Sequence, residues 1–356
     1  MEKTTLSEPT ISPLFITSIA LTANATSDAT SFRQHTDSVI ARWRESGQIQ
    51  TAYNGQGQRY KVHYQLVHGT DQICSIQLDP VQPGHSTFRL EYSPAQTNEK
   101  GRALLQQHLN ALFLTEYGEV MRNAKLINLE LAVDIAHVNF ANLLVTEKRK
   151  RTSSVYGEYM DQGGQIERFH LGAPRSDGQM RIIDMANQQT KAEGKNAGAL
   201  AMRVEATLIP RVTVPKPLAD DANNKAERRK QDTAEAKAKL RSGIYLHELD
   251  RLRNPFERVQ LFSLPAAAKL RDDYRWQIFL RCCERIGAQA ALALLPDKKR
   301  QAYLKRFAQG AFHWWNPNKI WDGLRPAFDD LELFPESAFV KTRSQIGHSD
   351  LALPRK

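Results

Sequence analysis

Apolar positions along this chain follow two regimes. From residue 13 to about residue 217 they come mainly in short alternating runs, the period-two pattern of half-buried strands. From residue 243 onward they recur at three- and four-residue spacing, the pattern of helices. Between the two lies the stretch 220–241, dense in Lys, Arg, Glu, Asp and Ala and almost without apolar residues. Such a stretch is either a solvated helix or a mobile linker.

Taken in order, residues 13–23 predict a first strand and residues 31–46 a helix. Ser31 is placed to cap that helix, and Val39, Ile40 and Trp43 fall close to one face. Residues 60–67 and 72–78 predict a hairpin bending at His68-Gly69-Thr70-Asp71, and residues 87–92 another strand. A helix is expected over 99–121, apolar at Leu104, Leu105, Leu109, Leu112 and Phe113. Residues 125–135 predict a strand carrying Glu130 and Asp134, 139–145 a short helix and 155–160 a strand. Residues 165–171 and 179–185 form a second hairpin through the Pro-, Ser-, Asp- and Gly-bearing link 173–178. In the run 201–208, Met202, Val204, Ala206 and Leu208 point one way and Arg203, Glu205 and Thr207 the other. Helices are expected over 265–281, 284–295, 297–311 and 316–331, the last opening at Asn316-Pro317.

This order lacks the regular βαβ alternation of a parallel sheet. It predicts an α+β fold: an antiparallel sheet with packed helices, followed by an all-helical C-terminal domain. The expected boundaries are a flexible N-terminus at 1–12, an α+β domain at 13–217, a charged linker or helix at 218–242, a helical domain at 243–341 and a tail at 342–356.

Composition narrows the function classes. With 356 residues, 41% hydrophobic and 25% charged, the chain can hold two modest domains with real cores. Its formal net charge of +10 favours polyanionic partners. Three cysteines, Cys74, Cys282 and Cys283, make neither a disulfide framework nor a zinc site, so a reducing, cytoplasmic location is expected. The apolar run 14–21 precedes Ala23-Asn24-Ala25, but Glu2 and Glu8 offset Lys3, and Pro13, Thr17 and Ser18 interrupt it. It reads as a strand and not as a signal peptide. No run approaches about 18 apolar residues, so neither a membrane span nor a membrane partner is expected.

The residues Gly172, Ser176, Asp177, Arg181, Ile182, Ile183 and Asp184, followed by Arg203 and Glu205, resemble a known pattern: G-x-x-x-S-D/G-x-x-x-R-I-Y-D/E-K with R-x-E in a later strand. It is the pattern of the replication initiation factor family, the rolling-circle initiators of plasmids and filamentous phages with related conjugative relaxases. Arg89-Leu90-Glu91-Tyr92-Ser93-Pro94 and Leu129-Glu130-Leu131-Ala132-Val133-Asp134 also fit, so the resemblance runs over roughly residues 85–215. It implies a palm-like antiparallel sheet, origin DNA as partner and cleavage of one strand with a divalent metal, Mg²⁺ or Mn²⁺. Glu130, Asp134 and Glu205 would hold the metal, and Arg181 and Arg203 would steady the phosphate. A host helicase is a further implied partner, and assembly with further copies of the chain stays open.

The chain departs from the pattern at Ile183, where the family carries its nicking tyrosine, and at Met185, where a lysine is usual. The replacement candidates are Tyr156 and Tyr159, with Tyr92 more remote. His170 and His137 are possible extra ligands. Lys148-Arg149-Lys150-Arg151 and Arg175 are candidates for the DNA backbone. Each has a plainer alternative. Strand acids are often merely exposed, the basic run can be a solvated loop, and Arg175, Arg181 and Arg203 can pair with Asp177, Asp184 or Glu205. Trp314, Trp315 and Trp321 fit a hydrophobic cap better than base stacking. Two functions follow: an origin-binding initiator that nicks, or a non-enzymatic relative that binds DNA and regulates replication. A basic RNA-binding protein is a third reading, without a recognisable signature in the chain.

Overall fold

The computed structural model describes residues 9–25, 28–52, 59–82, 84–138, 140, 143–147, 155–159, 166–173, 176–186, 200–210, 243–263, 274–286, 288–309 and 314–340. In chain order the elements are β1 (Thr10–Ile11), β2 (Phe15–Ala23), α1 (Ala29–Glu45), β3 (Ile49–Thr51), β4 (Tyr60–His68), β5 (Asp71–Pro80), β6 (Phe88–Tyr92), α2 (Glu99–Phe113), α3 (Tyr117–Arg122) and β7 (Lys125–Ala136). Then follow β8 (Leu143–Glu147), β9 (Val155–Tyr159), β10 (Ile166–Leu171), β11 (Gln179–Asp184), β12 (Leu200–Leu208), β13 (Ile244–Tyr245) and β14 (Val259–Ser263). The helices α4 (Tyr274–Ile286), α5 (Ala288–Ala293), α6 (Asp297–Gln309), α7 (Pro317–Trp321) and α8 (Leu324–Asp329) complete the described chain. The fold is α+β, with an antiparallel sheet and a helix-rich C-terminal region.

The chain forms two compact units, each assembled from three separate segments. One takes the described residues of Ile16–Glu130, Ile209–Arg253 and Phe328–Lys356. Its strands run in the order β3-β4-β5-β6-β2-β7. Alternation sets which face is covered: Tyr64 and Leu66 of β4, Ile76 and Leu78 of β5 and Leu90 of β6 are buried. On α1, Phe32, Thr36, Val39, Ile40 and Trp43 form one buried stripe at helical spacing. Asp28, not Ser31, caps this helix, its carboxylate accepting from the Thr30 and Ser31 N–H groups. On α2, Leu104, Leu105, His108, Leu109 and Leu112 are buried. His108 meets the Tyr64 hydroxyl through Nε2 at 2.8 Å, with the Trp43 ring edge-on at 4.4 Å. Burial pushes the His108 pKa down to about 4. The expected helix over 99–121 is broken at Leu114, whose φ of 50° no helix tolerates.

The other unit takes the described residues of Met1–Phe15, Leu131–Leu208 and Asn254–Ala327. Here the order is β7-β12-β11-β10-β9, with β1 paired to the end of β7. The C-terminal region is not all-helical. β14 pairs antiparallel with β8, Val259 opposite Glu147 and Ser263 opposite Leu143, and in the first unit β13 pairs Ile244 with Leu126. The stretch expected as a short helix over 139–145 therefore contains the start of a strand. An apolar run such as Leu143-Leu144-Val145 has no period of its own, and its partner decides its conformation. Helices α4 to α6 close around Trp276, Phe279, Leu280, Cys283, Ala291 and Leu292. Trp315 donates its indole N–H to the Val259 carbonyl at 3.2 Å and lies edge-on to Phe256. The charged stretch 220–241 and the tail 342–356 lie outside the described residues.

Candidate functional site

Strands β10, β11 and β12 bury one face and give the other to polar side chains. Met202, Val204, Ala206 and Leu208 are buried, as are Met180 and Ile182. Arg203, Glu205 and Arg181 stand on the opposite side. The turn that sets this register needs two glycines: Gly172 at φ 82° and Gly178 at φ 72° adopt the left-handed backbone that a side chain would strain. Ser176 closes the loop by donating its hydroxyl to the Ala173 carbonyl at 2.6 Å. Gly178 is also packed beneath Arg258, which donates to its carbonyl, and a Cβ there would meet Arg258 Nη1 at 2.7 Å. Arg258 in turn holds Glu147 at 2.7 Å, a carboxylate only 3% exposed. Nothing in the sequence pattern marks either residue. Their contact depends on the β8–β14 pairing.

Register aligns the polar residues in two rows. Tyr156 stands opposite His170, His170 opposite Arg181, and Arg181 opposite Glu205. In the next row Glu158 stands opposite Arg168, Arg168 opposite Ile183, and Ile183 opposite Arg203. Neighbouring strands lie about 4.8 Å apart, so each residue stands closest to its row neighbours. Arg181 meets Glu205 at 2.8 Å, one of the alternatives read from the sequence. Arg203 grips Asp134 of β7 with two bonds, Nε to Oδ1 at 2.6 Å and Nη2 to Oδ2 at 2.9 Å. This fork raises the arginine's pKa further, through the Asp134 hydrogen bonds first. The Phe15 ring lies 5.2 Å beneath the Arg203 guanidinium. Asp134 is also fixed through its backbone, its N–H donating to Ser12 Oγ at 2.9 Å. His170 is buried, and Ile183 is 7% exposed between two arginines.

The other candidates fall elsewhere. Glu130 belongs to the other compact unit, and His137 is exposed at the end of β7 with φ 61°. Tyr92 is buried at 1% in the core of the other unit, where burial pushes its hydroxyl pKa up, so it is not an accessible nucleophile. Tyr156 and Tyr159 are described through their backbone in β9, Tyr159 opposite Ile166. Lys148, Arg149, Lys150, Arg151 and Arg175 lie outside the described residues.

Carboxylate oxygens suit Mg²⁺ or Mn²⁺ by type. Asp134 and Glu205 are each held by a guanidinium, and among the described residues no group of three or more His, Cys, Asp or Glu side chains is placed to hold a metal. What the face offers is a set of arginines matched to carboxylates across adjacent strands. A phosphate, the better bidentate acceptor by charge, can compete with those carboxylates for the same guanidiniums. Among the described residues no helix is long and apolar enough to cross a membrane. Compared with known proteins, the chain matches no family model, and no curated protein is similar to it.

Proposed function

We propose that this chain is a DNA-binding protein of the rolling-circle replication-initiation type, acting in the cytoplasm on an origin or a related site and regulating replication without cutting. The observation that carries this reading is the double fork from Arg203 to Asp134 beside the Arg181–Glu205 pair. It supports a face that trades its carboxylates for DNA phosphates and keeps those carboxylates from a metal. Ile183, between Arg168 and Arg203 in the register, supports the same reading, since it cannot attack phosphorus.

The second reading is an active nickase. It is favoured by the row Tyr156, His170, Arg181 and Glu205, which brings a hydroxyl-bearing residue into register with a histidine, a cation and an acid. A binding and nicking comparison separates the two. The protein is mixed at fixed salt with duplex carrying its own gene and flanks, with random duplex, and with RNA. It is also incubated with supercoiled plasmid in Mg²⁺ or Mn²⁺. Preference for the flank DNA with no open circles is the expected result. A covalent protein–DNA adduct that disappears in Tyr156→Phe establishes the nickase instead. Equal affinity for all three nucleic acids near physiological salt sinks both readings.

A further inference from the structure

The chain's positive charge is not spread evenly. Residues 274–309 carry eight lysines and arginines against two acids, Glu284 and Asp297, a net +6 within a chain of net +10. This stretch holds α4, α5 and α6, whose inner faces enclose Trp276, Phe279 and Leu280.

Two of its cations serve the fold. Arg300 donates to the carbonyls of Leu292, Ala293 and Leu295 at 3.0–3.2 Å, closing the end of α5, and pairs with Asp297. Arg306 lies 5.1 Å over the Trp276 ring. Five others do not. Arg275 and Arg281 on α4 and Lys298, Lys299 and Lys305 on α6 are exposed, and no ion pair or hydrogen bond is recorded for their side chains among the described residues. Lys298 and Lys299 sit in the first turn of α6, where the helix dipole disfavours cations, so they do not serve the helix's own stability.

On α6, Lys298 and Lys305 are two turns apart on one face, about 10 Å along the axis, close enough for both to meet one strand's backbone.

We propose that the outer face of α6 forms a second contact surface for the backbone of duplex DNA, supplying sequence-independent affinity. Its lysines neutralise phosphates. The proposal rests on the DNA-binding reading for its partner. It concerns total affinity and its salt dependence, whereas that reading concerns preference for one site.

The test uses the full chain and a random-sequence 30-base-pair duplex. Binding is measured from low to physiological salt for the parent, for Lys298→Gln/Lys305→Gln, and for the charge-matched control Lys100→Gln/Lys319→Gln, also exposed positions. Circular dichroism melts check that the variants keep the fold. Each lost phosphate contact lowers the slope of log affinity against log salt by about 0.9, so the α6 pair is expected to lower it by about 1.8 with the control unchanged. Equal slopes in both double variants, no duplex binding by the parent at low salt, or tighter lysine-dependent binding to RNA or to anionic vesicles each overturn the proposal. A normal loss of slope in a protein without preference for its own flank DNA leaves this surface standing and removes the origin-binding reading alone.

Discussion

Taking the guanidinium from Arg203 strands the Asp134 carboxylate at a site where each side chain is only 23% exposed. Deleting one partner of a fully buried pair costs roughly 3–5 kcal/mol, and partial exposure reduces this, so Arg203→Gln is expected to lose about 2 kcal/mol in urea unfolding. Arg203→Met combined with Asp134→Leu should lose less than the single change, because no charge is then left behind. His108 gives a pH signature of its own. Its pKa is about 4 in the fold against 6.5 in the unfolded chain, so below pH 6.5 the unfolded chain takes up a proton that the fold refuses. The stability tied to the neutral ring is fully present above pH 6.5 and is lost as pH falls toward 4, by about 3 kcal/mol in all. Unfolding free energies taken at steps between pH 4 and pH 7.5 should show this decline in the parent. They should show a shallower one in His108→Leu, whatever that variant's absolute stability.

Between α2 and α3 the chain passes through Leu114 at φ 50° and ψ −131°, a region that suits glycine, with the side chain 59% exposed. Leu114→Gly is therefore expected to stabilise by about 1 kcal/mol, read as a higher urea midpoint, since relief of strain outweighs glycine's entropy cost. The apolar pattern at Leu104, Leu105, Leu109 and Leu112 foretold α2 but not this break, because periodicity reports burial and is silent about a single strained dihedral. Elements with strong alternation were legible: β4 and β5 with their bend, the β10–β11 hairpin, and β12 with Arg203 and Glu205 opposite its apolar face. The site was legible only in part. The Arg181–Glu205 pair was among the alternatives, while the grip of Arg203 on Asp134 depends on β7 lying beside β12, a choice of neighbour that no local pattern records. Residues 143–147 misled for the same reason, their strand state being set by β14.

At the scale of the molecule, both compact units draw residues from each end of the chain. A chain stopped after residue 217 loses β13 from one unit, and β14, Arg258 and α4 to α7 from the other. It should lack the near-ultraviolet dichroism and the cooperative urea transition of the full protein; a sharp transition of parental steepness per residue would contradict this. The pairing of β8 with β14 has a further consequence, one of timing. Glu147 and Arg258 are 111 residues apart in the chain. At the usual pace of synthesis, about 5–20 residues per second, the first strand of that pair leaves the ribosome roughly 6–22 s before its partner exists. For that interval Leu143 and Val145, buried in the finished protein, are an apolar segment without their mate. The nascent chain is then a client for whatever shields such segments, and a translational pause before residue 259 lengthens its exposure.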